Sequence, residues 1–401
     1  MDEKLIMIKN KININKIIEI LLVLTVFFIP ISRSGMNLFS FFIFVLWLIK
    51  KIKNKSFLKI KGDLNKWLIV YLIILFLPLI NFTSKQAFLV MLDTFISTYL
   101  KYIIIFIVTI EIIDDNEKFK KIFISFFISA TLVIGYGFYE FLFKGYKGRL
   151  TSTYNNANTA GNYFMMISLL AFSYLLFNDN LKNRLISLLY FLSSTTLLIL
   201  TYSRGAWVGY IFGFILALAI FIYKLDSKTI KITVIISLLI LTILLASLLP
   251  DSVIERFKSI NDLEGRSIKQ RLIQYQVGFN ILKDYPILGV GIGRFSEMFI
   301  EYKIEGAKSF RHIHNIYLDL AVETGLLGFF TILILLYKSI ISKMLIIMNE
   351  KEGFEFGFLV VFIGNVFHNS VDWTFLHSMV GLNLIVMAAL WLNYKKGKYS
   401  N

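Results

Sequence analysis

ERFKSINDLEGRSIKQRLIQYQVGFNILKDYPILGVGIGRF, residues 255–295, decides how this chain is read, because here the apolar runs that fill the rest of it stop. Apolar segments at 230–249 and 316–337 flank the interruption. Between Pro250 and His314 lie ten Lys/Arg residues. If this stretch faces outward, those charges sit where the positive-inside trend disfavours them. Charge placed against that trend is usually there to hold something.

Working outward, the 401 residues are 57% hydrophobic with a mean hydropathy of +0.71, which excludes an ordinary soluble domain. Apolar runs at 17–31, 38–49, 67–80, 95–113, 122–143, 163–177, 185–200, 206–223, 230–249, 316–337, 354–367 and 375–392 predict twelve spans. Several, above all the second and eleventh, are shorter than the roughly 20 residues that cross a bilayer. The expected fold is an all-α polytopic membrane bundle of about twelve helices. Residues 1–249 carry spans one to nine, 250–313 form a large external loop, and 314–401 carry spans ten to twelve. With both termini cytoplasmic, 25 of the 42 Lys+Arg fall in inner segments, each holding at least two. The net charge of +16 is then mainly a topology signal with attraction to membrane lipids, not a nucleic-acid footprint. The basic start lacks a small-residue cleavage site and is expected to remain as the first span. Cysteine is absent, which removes disulfides, thiolate catalysis and Cys-ligated metals.

The loop has its own periodicity. Ile268, Leu272, Tyr275, Phe279 and Leu282 recur at helical spacing, with Lys269, Gln270, Gln274, Gln276 and Asn280 opposite. This predicts an amphipathic helix lying across the outer face of the bundle. Pro286, Gly289, Gly291 and Gly293 end it, and with no strand before it the Gly-x-Gly-x-Gly is not a dinucleotide fingerprint.

Four constellations carry chemistry. Arg271 lies at the edge of the apolar face, pointing toward the membrane domain or covering apolar surface with its stem; Arg266 is a second, more solvated arginine. Arg204 stands at the outer mouth of the eighth span, where Gly205, Gly209 and Gly213 repeat every four residues and admit a neighbouring helix. An arginine there is an interfacial anchor or a ligand group with a partner. Arg149 opens GRLTSTYNNANTAGNY, whose Asn156 and Asn158 suit a polyhydroxylated ligand but equally suit turns and caps. His314 opens HNIYLDLAVETGLLG, with Asp319 and Glu323 one turn apart down the tenth span and Ala321, Gly325 and Gly328 as a small packing face. Intramembrane carboxylates are functional by default, or pair with cations as structure. Asn365, His368, Asn369 and Asp372 share a face of the eleventh span, making His368 a rival proton acceptor. His312 and His314 lack a third ligand at convincing spacing, so no metal site is expected.

In order, GRLTSTYNNANTAGNY, SRGAWVG, RLIQYQVGFNILKDYPILGVGIGRF and HNIYLDLAVETGLLG resemble the O-antigen ligase and O-antigen polymerase superfamily of multi-span, GT-C-like glycosyltransferases. The resemblance covers roughly residues 149–328. It departs at Tyr275, where the pattern more often shows Trp four residues after the arginine. It implies an undecaprenyl-diphosphate-linked glycan donor, used at the outer face of the bacterial cytoplasmic membrane without metal, cofactor or nucleotide sugar. It implies that Arg204 and Arg271 hold the diphosphate and that His314 assists the attacking hydroxyl. Arg149, Asn156, Asn158, Arg266, Tyr275, Asp319 and Glu323 are the candidate substrate-binding residues. The expected activity is O-antigen ligation to a lipid A–core hydroxyl, with chain polymerisation onto a glycan acceptor as the alternative. A transporter of lipid-linked glycan, the rival from another class, predicts midplane charges in two related halves.

Overall fold

The computed structural model describes residues 13–55, 64–82, 84–145, 148–233, 236, 250–259, 265–304, 306–307, 310–338 and 353–398. The ninth expected span, 230–249, lies almost wholly outside these residues. The described elements are all helical, as expected for a membrane bundle. They are α1 (Ile14–Phe28), α2 (Arg33–Lys53), α3 (Leu64–Ile74), α4 (Lys85–Thr94), α5 (Lys101–Ile112), α6 (Asn116–Phe143), α7 (Ala157–Phe177), α8 (Leu181–Leu200), α9 (Arg204–Lys224), α10 (Asp251–Lys258), α11 (Arg266–Asp284), α12 (Phe295–Glu301), α13 (Ile316–Leu336), α14 (Gly353–Asn369) and α15 (Ser378–Lys398). Asn and Ser side chains close many of their N-termini, among them Asn13, Ser32, Ser84, Asn156, Asn180 and Asn315, each accepting a first-turn amide.

Seven helices among the described residues are long and apolar enough to cross a membrane, fewer than the twelve runs in the sequence. The difference has local causes. The third run is split after Ile74 into a short 3-10 turn around Pro78, and the eleventh makes a helix of 17 residues. The fourth begins earlier than its apolar run, since α4 and α5 join through a π turn at Phe95–Leu100 into Lys85–Ile112.

The chain divides into two compact units. One comprises Met1–Asn65, Ile96–Val133 and Ser378–Asn401. In it α5 packs against α1, α2 and α15. Its charges at the C-terminal end of α5 are matched: Glu111 accepts from Lys51 and Trp47, while Glu19 on α1 is bridged by Lys16 and Lys121.

The second unit, Lys66–Phe95 and Ile134–His377, carries every candidate residue. Its centre is α7, flanked by α8, α9 and α14. The α9 glycines allow the closest approach: a Cβ at Gly209 would lie 2.3 Å from the Gly364 carbonyl oxygen, and one at Gly213 2.8 Å from that of Val360. The four-residue repeat is thus the seam between α9 and α14.

Helix α13 departs from the sequence expectation. Gly325 does not serve as part of a smooth packing face; at φ 66°, ψ 178° it breaks the helix. The carbonyls freed at Val322 and Glu323 accept from Val290 and Gly291, and Leu326 and Leu327 donate to Pro286 and Ile287. The PILGVGIG segment therefore fills the break, pairing backbone that would otherwise be unsatisfied. A Cβ on Gly325 would lie 2.1 Å from the Ile287 oxygen, in a backbone region essentially reserved for glycine. Gly325→Ala is expected to destabilise by at least ~1–3 kcal/mol. Membrane abundance and melting temperature check this; a normal melting temperature would refute the loop-in-break reading.

Helix α11 forms where its periodicity predicts, but turned. Leu272 and Phe279 are 49% and 60% exposed, whereas Gln274, Val277 and Ile281 are fully buried. The helix is apolar along two stripes, and periodicity alone cannot choose between them. Contact with Ile313 and Leu318 decides it, because the missing side chain at Gly278 leaves them room to come close.

Candidate active site

The site assembles at the ends of helices. Arg149 is brought in by its own loop. Glu140 gathers the Thr151 and Ser152 amides, and Leu150 N–H donates to the Leu200 carbonyl. Arg149 Nε then donates to the Thr201 carbonyl at 2.9 Å. The next residue, Tyr202, has a left-handed backbone (φ 49°), and its carbonyl accepts from Arg256 Nε at 3.3 Å. Arg204 opens α9 and donates through Nη1 to the carbonyl of Ser259, which caps the C-terminus of α10. The Thr201 and Tyr202 carbonyls and the end of α10 thus hold Arg149, Arg256 and Arg204.

Asp372, in the turn after α14, is the hub. Its Oδ2 accepts from Asn158 at 2.6 Å and faces Arg271 Nη2 at 3.7 Å. Its Oδ1 accepts the Trp373 amide at 2.8 Å and lies 3.4 Å from His314 Nδ1. Asn158 accepts in turn from Arg149. Burial pushes the Asp372 carboxyl up, but the bond with His314 and the charges of His368, His314 and Arg271 outweigh it and hold the group well below the usual carboxylate range. Burial and the charge of Arg256 bring Arg149 down to about 10, with Arg271 and Arg204 contributing, so it stays charged near neutrality. Arg149 and Arg271 thus act with Asp372, and the charges of Arg256, Arg271 and Arg204 reach Arg149.

His314 is fixed through its backbone by α11: its N–H donates to Gln274 Oε1 at 2.9 Å, and its carbonyl accepts from the Tyr275 hydroxyl at 2.9 Å. Because Arg271, Gln274 and Tyr275 share one helix, the arginine and the histidine are positioned together. With Nδ1 turned to Asp372, Nε2 is the nitrogen for exchange with an acceptor. The His314 side chain is 28% exposed, whereas His368 is completely buried against Gly205. His312 stacks on Trp373 at 4.2 Å; burial and the neighbouring His314 lower it to about 4, so it is neutral near pH 7.

The other candidates lie around this centre. Asn156 caps α7 by accepting the Asn158 amide. Asp319 accepts from Ile313 N–H and from Trp373 Nε1, and Glu323 accepts from Gly293 N–H, so both buried carboxylates tie the loop to α13. The side chain of Arg266 lies outside the described residues. Three contributors are absent from the sequence-based site: Asp372, Arg256 and Gln274. Asp372 stands out in the sequence only as one polar residue on the expected eleventh-span face, whereas the helix ends at Asn369 and Asp372 lies in the turn beyond it. Gln274 sits on what periodicity marks as the solvent side, and nothing local to Arg256 distinguishes it from the other loop cations.

Residues 188–333, which include α9, α11, His314 and the α13 break, match the O-antigen ligase family. The match supports a relationship to the O-antigen ligase superfamily. Comparison with curated proteins gives no match. Several membrane-length apolar helices among the described residues, together with this match, support a multi-pass membrane protein.

Proposed function

We propose that the chain is an O-antigen ligase, moving a glycan from undecaprenyl diphosphate to a lipid A–core sugar hydroxyl at the periplasmic face of the cytoplasmic membrane. The observation that carries this reading is Arg271 facing Asp372, which Asn158 links to Arg149, beside a partly exposed His314, with Arg149 and Arg256 bonded to the adjacent carbonyls of Thr201 and Tyr202 and Arg204 two residues on. A diphosphate leaving group needs cationic stabilisation rather than protonation, and guanidinium forks supply it without losing their own protons. No metal is required for that step. His314, oriented by Asp372, takes the proton of the acceptor hydroxyl as that oxygen bonds to the anomeric carbon and the diphosphate departs. Asn156, Asn158 and Tyr275 line the sugar path, and Asp319 and Glu323 keep the loop in place.

Purified protein given lipid-linked donor and lipid A–core acceptor should release undecaprenyl diphosphate and form glycosylated acceptor. Polymerisation is the second reading, since the family match accommodates it equally. Deleting a ligase leaves full-length lipid-linked glycan, whereas deleting a polymerase leaves single repeat units. The proposed topology puts 250–313 outside, with spans one to nine before it, ten to twelve after it and both termini cytoplasmic. Lys258 is exposed and the chain has no cysteine, so Lys258→Cys should react with an impermeant thiol reagent in cells with an intact inner membrane. Labelling only after that membrane is opened would reverse the topology.

A further inference from the structure

We propose that the unit formed by Met1–Asn65, Ile96–Val133 and Ser378–Asn401 holds a second anion site, which takes a phosphate ester of a membrane lipid. Lys101, at the start of α5, donates to Asn37 Oδ1 at 3.0 Å and to Ser378 Oγ at 3.2 Å. Both partners are neutral, so they satisfy hydrogen bonds but not charge. Arg33 stands one turn before Asn37 on α2, close enough for its charge to act on Lys101. Among the described residues no carboxylate forms a salt bridge with either cation. The same unit matches its acids with cations at the far end of α5, where Glu111 meets Lys51. Two uncompensated cations are therefore a local feature of the Lys101 end.

The chemistry selects a phosphate. A tetrahedral anion can accept from the Arg33 fork, from the third ammonium proton of Lys101 and from the Asn37 amide nitrogen, whose oxygen is already engaged. The surroundings select a lipid. Arg33, Asn37 and Phe41 follow one another at four-residue spacing on α2, and Phe41 is 59% exposed. A headgroup at Arg33 and Asn37 thus lies above apolar surface suited to an acyl chain. An ionisable residue inside an apolar span is expensive and is normally kept for a ligand or relay.

The test uses the full chain in nanodiscs containing phosphatidic acid or phosphatidylcholine, with retained lipid read by native mass spectrometry. Wild type should retain phosphatidic acid selectively. Arg33→Gln and Lys101→Gln should each weaken retention about fivefold, and Lys101→Arg should preserve it. Lys101→Gln also touches packing, so Arg33→Gln, at an exposed position with no protein hydrogen bond assigned to it, carries the decision. Wild-type retention by Arg33→Gln would overturn the proposal. A second arm identifies the source. If the occupant is a phosphate on the acceptor, Arg33→Gln raises KM for phosphorylated but not dephosphorylated acceptor. If KM is unchanged for both while retention falls, the occupant is bulk phospholipid. Lipid retention is read without turnover, so this result stands apart from the ligase reading.

Discussion

Turnover should fall about 10²–10⁴-fold in His314→Ala, the range that general-base assistance supplies, while donor binding is largely kept. The geometry sets the contrast with His368. His314 is partly exposed, with Nδ1 toward Asp372. His368 is fully buried under Gly205, where no acceptor sugar can reach it. His368→Ala should therefore lower abundance through the cavity it leaves, with turnover per molecule close to normal. Purified variants assayed at equal concentration with lipid-linked donor and acceptor decide it. A dead His368→Ala beside an active His314→Ala would move the base to α14.

Arg204→Lys and Arg271→Lys should each reduce kcat about 10²–10³-fold, the loss typical of removing one donor aimed at developing charge. Lysine keeps the charge but not the planar fork, so this pair of variants separates diphosphate recognition from simple attraction. Arg271 faces Asp372 and Arg204 reaches the end of α10, so a packing defect is the competing explanation. Thermal stability and membrane abundance measured beside kcat distinguish the two. Near-normal kcat in both variants would assign these arginines to anchoring. Arg256→Lys should behave like them if it shares the diphosphate, since its charge acts most strongly among the arginines on Arg149.

Much of this arrangement is written in single segments of the chain. Long apolar runs can bury themselves only against lipid or one another, which makes a helical membrane protein a consequence of composition. The α9 glycines announce a close helix contact because their spacing matches one helical face. The arginines and His314 stand out for the same kind of reason: they are charged or titratable where apolar residues surround them.

What local pattern leaves open is decided by contacts between distant segments. The buried side of α11 is set by Ile313 and Leu318 against Gly278, more than thirty residues away, so periodicity points to Leu272 and Phe279 instead. The break at Gly325 exists because the PILGVGIG backbone supplies the hydrogen bonds that α13 gives up. Asp372 becomes the hub only when the turn after α14 meets Asn158, Arg271 and His314, which are 58 to 214 residues distant along the chain or nearly so. Residue type and spacing thus determined which groups carry charge and which faces are apolar. Tertiary packing alone decided which charge meets which, because a carboxylate's partners are fixed by distance in space and not by position in sequence.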